Sequence, residues 1–406
     1  AKTLWRKGAG RERLVRVSAI IAIISVAISV FVVLLSVAIS DGFRKEINDK
    51  ASGLSGQILI HSPGTDVTTS QYPIDNDPVL IDKILSIRGV KSVHPYGYRS
   101  AVLESDSEIH GVLIKGVDSL FDWSFFQKHL VSGRMPNVSN EANSNQHELL
   151  ISQRLSNIID HSIGDDVVAY FVDDVIRVRK FKIVGIYDAQ LEDIDKTLVL
   201  TSLKTVQGVN NWSKEKISGL EVMLHNSRKI ERLAERIEYE LYNYSKQSLF
   251  ATRVDELFPN LFDWLVLIDF NVLFVLILML SVAGFNMVSG LLILLFEKTS
   301  MIGLLKSLGM KNSSIHKVFM IRALDLVFRG VIIGNVLAIS IILLQYYFQI
   351  IPLDAENYFV DHVPVNFNIA KWAVINVLSI ISISLLLILP SYFIANVSPE
   401  KTLRVK

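Results

Sequence analysis

The residues of this sequence that could do chemistry are a few carboxylate pairs and nine scattered histidines. The pairs Asp165/Asp166 and Asp173/Asp174 could supply a general acid and a general base, although adjacent carboxylates in a polar segment are typical of solvated loops. The histidines lack HExxH spacing, and no GxSxG nucleophile elbow occurs. Because there is no cysteine, thiolate metal sites and cysteine nucleophiles are excluded. The sequence therefore predicts neither a catalytic nor a metal site, and we do not expect an enzyme.

A phosphate-binding loop would require the pattern GxxxxGK[ST], whose backbone amides and lysine surround phosphates at a helix N-terminus. The segment from Gly303 to Lys311 is superficially similar. Its two glycines are too far apart, and neither Ser nor Thr follows Lys311 directly. If ATP drives this protein, another subunit must hydrolyse it.

The same segment is more informative as a pair of short helices, reading EKTSMIGLLKSLGMKNSSIHKVFMIRALDL over 297–326. The first helix has an apolar side beside two lysines, formed by Met301, Ile302, Leu304, Leu305 and Leu308 with Lys298 and Lys306. We expect Gly309 to end it and Ser313 or Ser314 to cap the next. An amphipathic helix of this kind either lies in lipid headgroups or docks into a groove on a partner protein, and both interpretations stay open on pattern alone.

The elements that position this segment are long apolar runs. They are candidate membrane spans, because a bilayer core needs about 20 apolar helical residues. Half of the chain is hydrophobic, and charge-free runs occur at Val17–Ser40, Phe270–Phe296, Gly330–Leu353 and Trp372–Ser398. The first run is longer than the apolar region of a cleaved signal peptide and is interpreted as a retained anchor. We predict four transmembrane helices.

Lysine and arginine gather beside particular ends of these runs, which predicts their orientation. The positive flanks are Lys2, Arg6, Lys7, Arg11, Arg13 and Arg16, then Lys298, Lys306, Lys311, Lys317, Arg322 and Arg329, then Lys401, Arg404 and Lys406. The loop between the third and fourth runs is acidic instead, with Asp354, Glu356 and Asp361 against Lys371. Both termini and the loop after the second span are therefore expected in the cytoplasm. The net charge of +1 gives no reason to expect nucleic-acid binding.

Small residues follow one face of two spans and predict close helix packing. They are Ser18, Ala22, Ser25, Ser29, Ser36 and Ser40 on the first span, and Gly330, Gly334 and Ala338 on the third. Ordinary packing explains these stripes better than a substrate path does. No ionisable residue lies deep in a span, which disfavours ion-coupled transport.

Between the first two spans, residues 41–265 form a polar segment that we interpret as a large extracytoplasmic α+β domain. Two βαβ-like units are expected at about 57–115 and 217–254, with an inserted subdomain at about 117–216. In the second unit, Ser227 is expected to cap the helix. Residues 1–40 would hold the basic N-terminus and first span, and residues 266–406 the other three spans with the amphipathic helix at about 297–309.

Several stretches in this order resemble the lipoprotein-releasing (LolC/LolE-type) ABC transporter permeases, within the MacB/FtsX-like permease superfamily. They are SVAISDGFRKEINDKASGLSGQILIHS at Ser36–Ser62, GVKSVHPYGYRSAVL at Gly89–Leu103, GVLIKGVD at Gly111–Asp118 and EKTSMIGLLKSLG at Glu297–Gly309. The resemblance runs nearly end to end. It implies four membrane helices with a periplasmic domain of the MacB core type, in the inner membrane, with both termini cytoplasmic.

The resemblance also implies a mechanism, in which two permease chains pair with two ABC ATPase subunits and transmit force mechanically. This chain would bind no cofactor, and the partner ATPase would use ATP and Mg²⁺. The coupling helix would contact that ATPase through or near Glu297, Lys298, Met301, Gly303 and Lys306. Lipoprotein acyl chains would enter a cavity between permeases, for which the candidate residues are Val32, Ser36, Ile39, Phe43, Leu273, Leu276 and Leu280. Packing or contact with membrane lipid is the alternative reading of each.

The expected function is extraction of lipoproteins from the inner membrane and delivery towards the outer membrane. The second permease is either another copy or a paralogue. LolC-type members carry a protruding hairpin that recruits a periplasmic carrier, but only Asp173–Lys180 occupies that position here, which is too short for such a hairpin. The chain is therefore either LolE-like, or one protein that fills both roles, or a permease that recruits its carrier differently. The alternatives are an FtsX-like permease that regulates a cell-wall hydrolase and a MacB-like efflux permease.

Overall fold

The computed structural model describes residues 2–63, 72–104, 109–138, 147–172, 176–245 and 247–388. These residues fall into two units. The helical unit draws on Ala1–Arg44, Trp264–Pro352 and His362–Lys406, and the sheet unit on Lys45–Asp263 and Leu353–Asp361. The predicted boundaries at 40/41 and 265/266 lie within a few residues of these, but Leu353–Asp361 was expected with the spans.

The helices are α1 (Lys2–Ser55), α2 (Pro78–Leu85), α3 (Ser124–Lys128), α4 (Gln153–Ile159), α5 (Glu192–Asp195), α6 (Leu203–Val209), α7 (Ile230–Tyr244), α8 (Val254–Leu257), α9 (Pro259–Glu297), α10 (Thr299–Ser307), α11 (Asn312–Phe348), α12 (Ala355–Tyr358) and α13 (Ile369–Leu386). The strands are β1 (Ile58–His61), β2 (Ile74–Asp75), β3 (Val90–Glu104), β4 (Ile109–Val117), β5 (Leu130–Gly133), β6 (His147–Ser152), β7 (Asp166–Phe171), β8 (Arg177–Tyr187), β9 (Leu198–Ser202), β10 (Lys216–Ile217), β11 (Gly219–Leu224) and β12 (Phe250–Arg253).

Four helices of the described residues are long and apolar enough to cross a membrane, in agreement with the prediction. They are α1, α9, α11 and α13. α11 ends at Phe348, where Gln349 takes a left-handed conformation, so the third span stops before the predicted Leu353. Residues 389–406, which include the end of the predicted fourth span and Lys401, Arg404 and Lys406, lie outside the described residues.

The core of the helical unit consists of buried apolar side chains that all four spans contribute. α11 approaches α1 closely at two glycines. A Cβ atom on Gly330 would lie 2.7 Å from Cβ of Val26, and one on Gly334 would lie 2.6 Å from the carbonyl oxygen of Ala27. Ala338 is completely buried on the same helix. Small residues therefore allow the two backbones to approach, as expected for helices that associate in a bilayer.

In the sheet unit, one half of the main sheet is built from two interlocked βαβ units. The strand order there is β12-β1-β11-β3, and every neighbouring pair is antiparallel. β11 thus lies between the two strands of the β1-α2-β3 unit, and β1 lies between the two strands of the β11-α7-β12 unit. This is the split βαβ arrangement. The apolar sides of α2 and α7 cover this half of the sheet through Leu80, Ile84, Leu233 and Ile237.

The segment between these units extends the same sheet. β9 pairs in parallel with β4, and β6, β8 and β5 follow outward. β7 pairs with β3 and β8 beside this order, which gives a ten-stranded sheet within the described residues. A second core fills this half, with Leu149, Phe171, Phe181 and Val199 buried in it. The predicted α+β class is confirmed. The predicted inserted subdomain continues the same sheet as the two βαβ units.

Two predicted helix caps are wrong. Ser227 begins a 3₁₀ turn over Ser227–Lys229, and α7 starts after Lys229 without a side-chain cap. α11 starts at Asn312 after Lys311, so neither Ser313 nor Ser314 is its N-cap. α11 begins before the two serines are reached, whereas a 3₁₀ turn separates Ser227 from the start of α7.

Candidate functional site

α10 follows α9 after the single residue Lys298 and forms the short amphipathic helix predicted for this loop. Ile302 is completely buried, whereas Met301, Leu304 and Leu308 are 49%, 55% and 76% exposed. Gly309 takes a left-handed conformation with φ of 89°, which ends the helix where the sequence predicts. The helix therefore presents an apolar face that no described residue of this chain covers.

The other predicted coupling residues lie at different depths around this face. Lys298 is exposed, Glu297 and Lys306 are half-buried, and Gly303 is buried on the side of Ile302. The exposed face thus combines Met301, Leu304 and Leu308 with basic groups, while Gly303 is buried. We call Met301, Leu304 and Leu308 the α10 face.

The candidate acyl-cavity residues are divided between exposed and packed positions. Val32, Ser36, Ile39 and Leu276 are half-buried, and Leu273 is 51% exposed. Phe43 is buried against Trp264, with ring centroids 5.4 Å apart, and Leu280 belongs to the core of the helical unit. Five of the seven candidates thus retain surface that a second chain or a lipid chain could contact.

Sequence reasoning missed a group of charges at one end of the helical unit. Asp269 of α9 accepts hydrogen bonds from the Ser40 hydroxyl, at 2.7 Å, and from the Arg44 guanidinium. Asp41 pairs with Lys371 of α13. These residues flank the apolar runs, so a search restricted to charges within the spans could not find them. They join α1 to both α9 and α13.

A second missed feature is an amide pair between α11 and α13. Nδ2 of Asn335 donates to Oδ1 of Asn376 at 2.7 Å, and Nδ2 of Asn376 donates back at 3.1 Å. Nε1 of Trp372 also donates to Oδ1 of Asn335, at 2.6 Å. Asparagine in an apolar helix is a visible sequence signal, although its side chain is not ionisable.

Within the sheet unit, the loop Leu353–Asp361 is held by two buried or half-buried cations. Nζ of Lys50 donates to the carbonyl oxygen of Phe359 at 2.8 Å and to Oε1 of Gln190 at 2.7 Å. Arg154 bridges Glu356 of the loop and Glu192 of α5. These contacts explain why the loop groups with the sheet unit.

The carboxylate pairs considered for catalysis show no catalytic arrangement in the part that is described. Asp166 forms an exposed ion pair with Lys180 at 3.0 Å, and Asp165 accepts a hydrogen bond from the backbone of Ser162. Asp173 and Asp174 lie outside the described residues. Among the described residues, no group of three or more His, Cys, Asp or Glu side chains is placed to hold a metal ion.

These features define a multi-span membrane protein with an α+β domain between its first two spans. The family model for the MacB-like periplasmic core domain matches residues 19–239, and the model for the FtsX-like permease C-terminal region matches residues 273–399. The first match covers more than half of the chain. The chain therefore belongs to the family that carries the MacB-like periplasmic core domain.

Curated relatives confirm the resemblance to the lipoprotein-releasing permeases. The chain is 21% identical to the lipoprotein-releasing system transmembrane protein LolC of Neisseria meningitidis, over 95% of this chain and 93% of that protein. It is 23% identical to the LolE protein of Haemophilus influenzae, over 89% of this chain and 88% of that protein. Among solved structures, the extracellular domain of the noncanonic ABC-type transporter YknZ from Gram-positive bacteria matches 48% of this chain and 100% of that chain. The match has 15% identity and a TM-score of 0.34.

Proposed function

We propose that this chain is the permease subunit of an ABC transporter that extracts lipoproteins from the inner membrane for delivery towards the outer membrane. The observation that carries this proposal is the match of nearly the whole chain to LolC and LolE proteins, with the four spans and the intervening α+β domain in place. We place both termini and α10 in the cytoplasm, because lysine and arginine flank those ends of the spans.

In this proposal, ATP and Mg²⁺ are bound by a separate ATPase, and this chain acts without catalysis. The α10 face is the docking surface for that ATPase. An exposed apolar helix face flanked by lysines suits a groove with apolar walls and acidic edges. Since α9 is one unbroken helix from Pro259 to the residue before Lys298, a displacement of α10 is passed directly to the second span.

The docking claim is tested by Met301→Arg with Met301→Leu as the matched control. Arginine would place a charge among apolar contacts of the groove, whereas leucine keeps the side chain apolar and of similar volume. We expect Met301→Arg to insert into the membrane normally but to lose co-purification of the ATPase and release of lipoprotein. Normal release by Met301→Arg would contradict docking through this face.

The lipoprotein function itself is tested by affinity purification of the chain from its native membrane in mild detergent, followed by mass spectrometry of the bound proteins. Recovery of an ABC ATPase with acylated lipoproteins supports the proposal and identifies any second permease or periplasmic carrier. An ATPase recovered with a cell-wall hydrolase and without lipoprotein would support the FtsX-like alternative. Recovery of an efflux duct would support the MacB-like alternative.

A further inference from the structure

The sheet unit contains two cavities that share one lining residue. The apolar cavity, of about 330 Å³, is lined mainly by aliphatic and aromatic side chains from the end of α1, from α5 and β9, and from the start of α9. The polar cavity, of about 440 Å³, lies between α4, α5 and the loop Leu353–Asp361. Glu192 lines both cavities. A ligand with one apolar and one polar part could therefore occupy the two together.

The apolar cavity has the character of a hydrocarbon site. Its walls include Leu113, Leu191, Leu198, Leu261 and Phe359. Its volume is at the lower end of the range found for small-molecule sites, which are typically about 300–1,000 Å³. A cavity with such walls favours an alkyl chain, because burial of methylene groups away from water is the main source of binding energy there.

The polar cavity is lined by the buried carboxylate of Asp195, which the nearby ammonium group of Lys50 attracts. The side chain of Asp195 is 2% exposed and lines this cavity, and its Oδ1 has no hydrogen-bond partner among the described residues. Its Oδ2 accepts the backbone N–H of Leu191 at 3.1 Å. A buried carboxylate oxygen without a donor is costly, so a ligand that brings a positively charged donor would stabilise it.

The remaining charges of the polar cavity select the type of ligand. Asp188 and Glu192 add two carboxylates, and Arg154 adds one guanidinium that pairs with Glu192 at 2.9 Å and also with Glu356. These groups lack the arrangement of a metal site, since no described cluster of three or more potential ligands is placed to hold an ion. An ammonium group suits the carboxylates, and an adjacent phosphate suits the guanidinium.

We propose that the two cavities form a binding site for an ethanolamine phospholipid, with its ammonium group at Asp195 and one acyl chain in the apolar cavity. The ammonium donates a hydrogen bond to Oδ1 of Asp195, and the phosphate lies towards Arg154. A choline headgroup has the same charge but no N–H donor, so it cannot satisfy Oδ1. This site is independent of the proposed lipoprotein transport, because it concerns a lipid of the surrounding membrane.

The test uses the full chain in detergent micelles at pH 8, where the Asp195 carboxyl, whose pKa is raised to about 7 by burial, is mostly ionised. Phospholipids with a photoactivatable acyl chain and either an ethanolamine, a choline or a glycerol headgroup are added separately. Cross-linked peptides of the sheet unit are then quantified by mass spectrometry. We expect the ethanolamine probe to label the segments around Leu191–Leu198 and Leu257–Leu261 at least about tenfold more than the choline probe, as for loss of one charge-assisted hydrogen bond.

Variants separate the two halves of the site. Asp195→Asn should remove the preference for ethanolamine, and Ile194→Trp should fill the apolar cavity and reduce labelling by every probe. Asp160→Asn, at an exposed carboxylate that lines neither cavity, serves as the matched control and should behave as the wild type. Equal labelling by the ethanolamine and choline probes would overturn the proposal, as would a preference that persists in Asp195→Asn.

Discussion

The ammonium group of Lys115 lies 2.5 Å from Oε1 of Glu221, and both side chains are almost completely buried in the sheet unit. Lys115 also donates a hydrogen bond of 2.6 Å to the carbonyl oxygen of Leu54, at the end of α1. Burial lowers the pKa of Lys115 and raises that of Glu221, while their mutual attraction opposes both shifts. The pair therefore connects the C-terminal end of α1 to β4 and β11.

Removal of one partner of this pair should destabilise the sheet unit strongly. Glu221→Leu leaves a buried ammonium without its counter-ion, and we expect a loss of about 3–5 kcal/mol in the free energy of unfolding. The double variant Lys115→Met/Glu221→Leu replaces both charges by apolar groups and should recover much of that loss. Thermal unfolding of the single and double variants measures the difference. A double variant less stable than Glu221→Leu would contradict this account.

The buried carboxyl of Asp195 predicts an unusual dependence of stability on pH. Burial raises its pKa from 3.8 to about 7 in the folded sheet unit. Between these values the folded state binds more protons than the unfolded state, so this group makes the free energy of unfolding fall as pH rises from about 4 to 7. Above pH 7 its destabilising effect is complete and reaches at most about 4 kcal/mol.

Asp195→Asn removes this effect and keeps an acceptor for the N–H of Leu191. We expect the variant to melt at a higher temperature than the wild type at pH 8 and at nearly the same temperature at pH 4. Scanning fluorimetry over this pH range provides the measurement, with Asp160→Asn as the exposed control. A constant difference between Asp195→Asn and wild type across the range would show that Asp195 does not titrate as inferred.

The periodicity of apolar residues and the composition were enough to predict the spans and the strands that border them. Each of these elements buries an apolar surface, and that surface is visible in the element's own sequence. The order of strands was not predictable in this way. β1 contacts β11 through residues such as Ile58 and Val222, which lie far apart in the chain, and no local pattern records that pairing. The sequence therefore indicated two βαβ units without revealing that they interlock.

In the candidate site, too, the features set by local periodicity were predictable and those set by tertiary packing were not. Helical periodicity predicted one apolar side of α10, formed by Met301, Ile302, Leu304, Leu305 and Leu308. The fold divides this side, because Ile302 is buried whereas Met301, Leu304 and Leu308 are exposed. The burial of Gly303 depends on how α10 packs on its neighbours and could not be predicted from that period. The burial of Asp195 could not be predicted either. A carboxylate in the sequence EDID is typical of a solvated charge, and only the fold shows that it is buried.

The amide pair between α11 and α13 should stabilise the helical unit modestly. Asn376→Leu removes both amide contacts with Asn335 and leaves Trp372 as the donor to Oδ1 of Asn335. Hydrogen bonds between membrane helices contribute about 0.6 kcal/mol on average and at most about 2 kcal/mol. We therefore expect a small decrease in thermal stability in detergent, which Asn376→Gln should partly restore. An increase in stability for Asn376→Leu would show that the pair serves another purpose.

Close packing of α11 on α1 can be tested by two matched glycine substitutions that face the same helix. In Gly334→Ala the new Cβ would lie 2.6 Å from the carbonyl oxygen of Ala27, so the two backbones must move apart. We expect a loss of about 1–3 kcal/mol, as for other overpacked contacts. In Gly290→Ala of α9 the new Cβ would meet Cβ of Ala22 at 3.4 Å, an ordinary contact, and no loss is expected. Thermal unfolding in detergent compares the two variants. Equal melting temperatures would show that α1 and α11 do not approach as closely as these distances require.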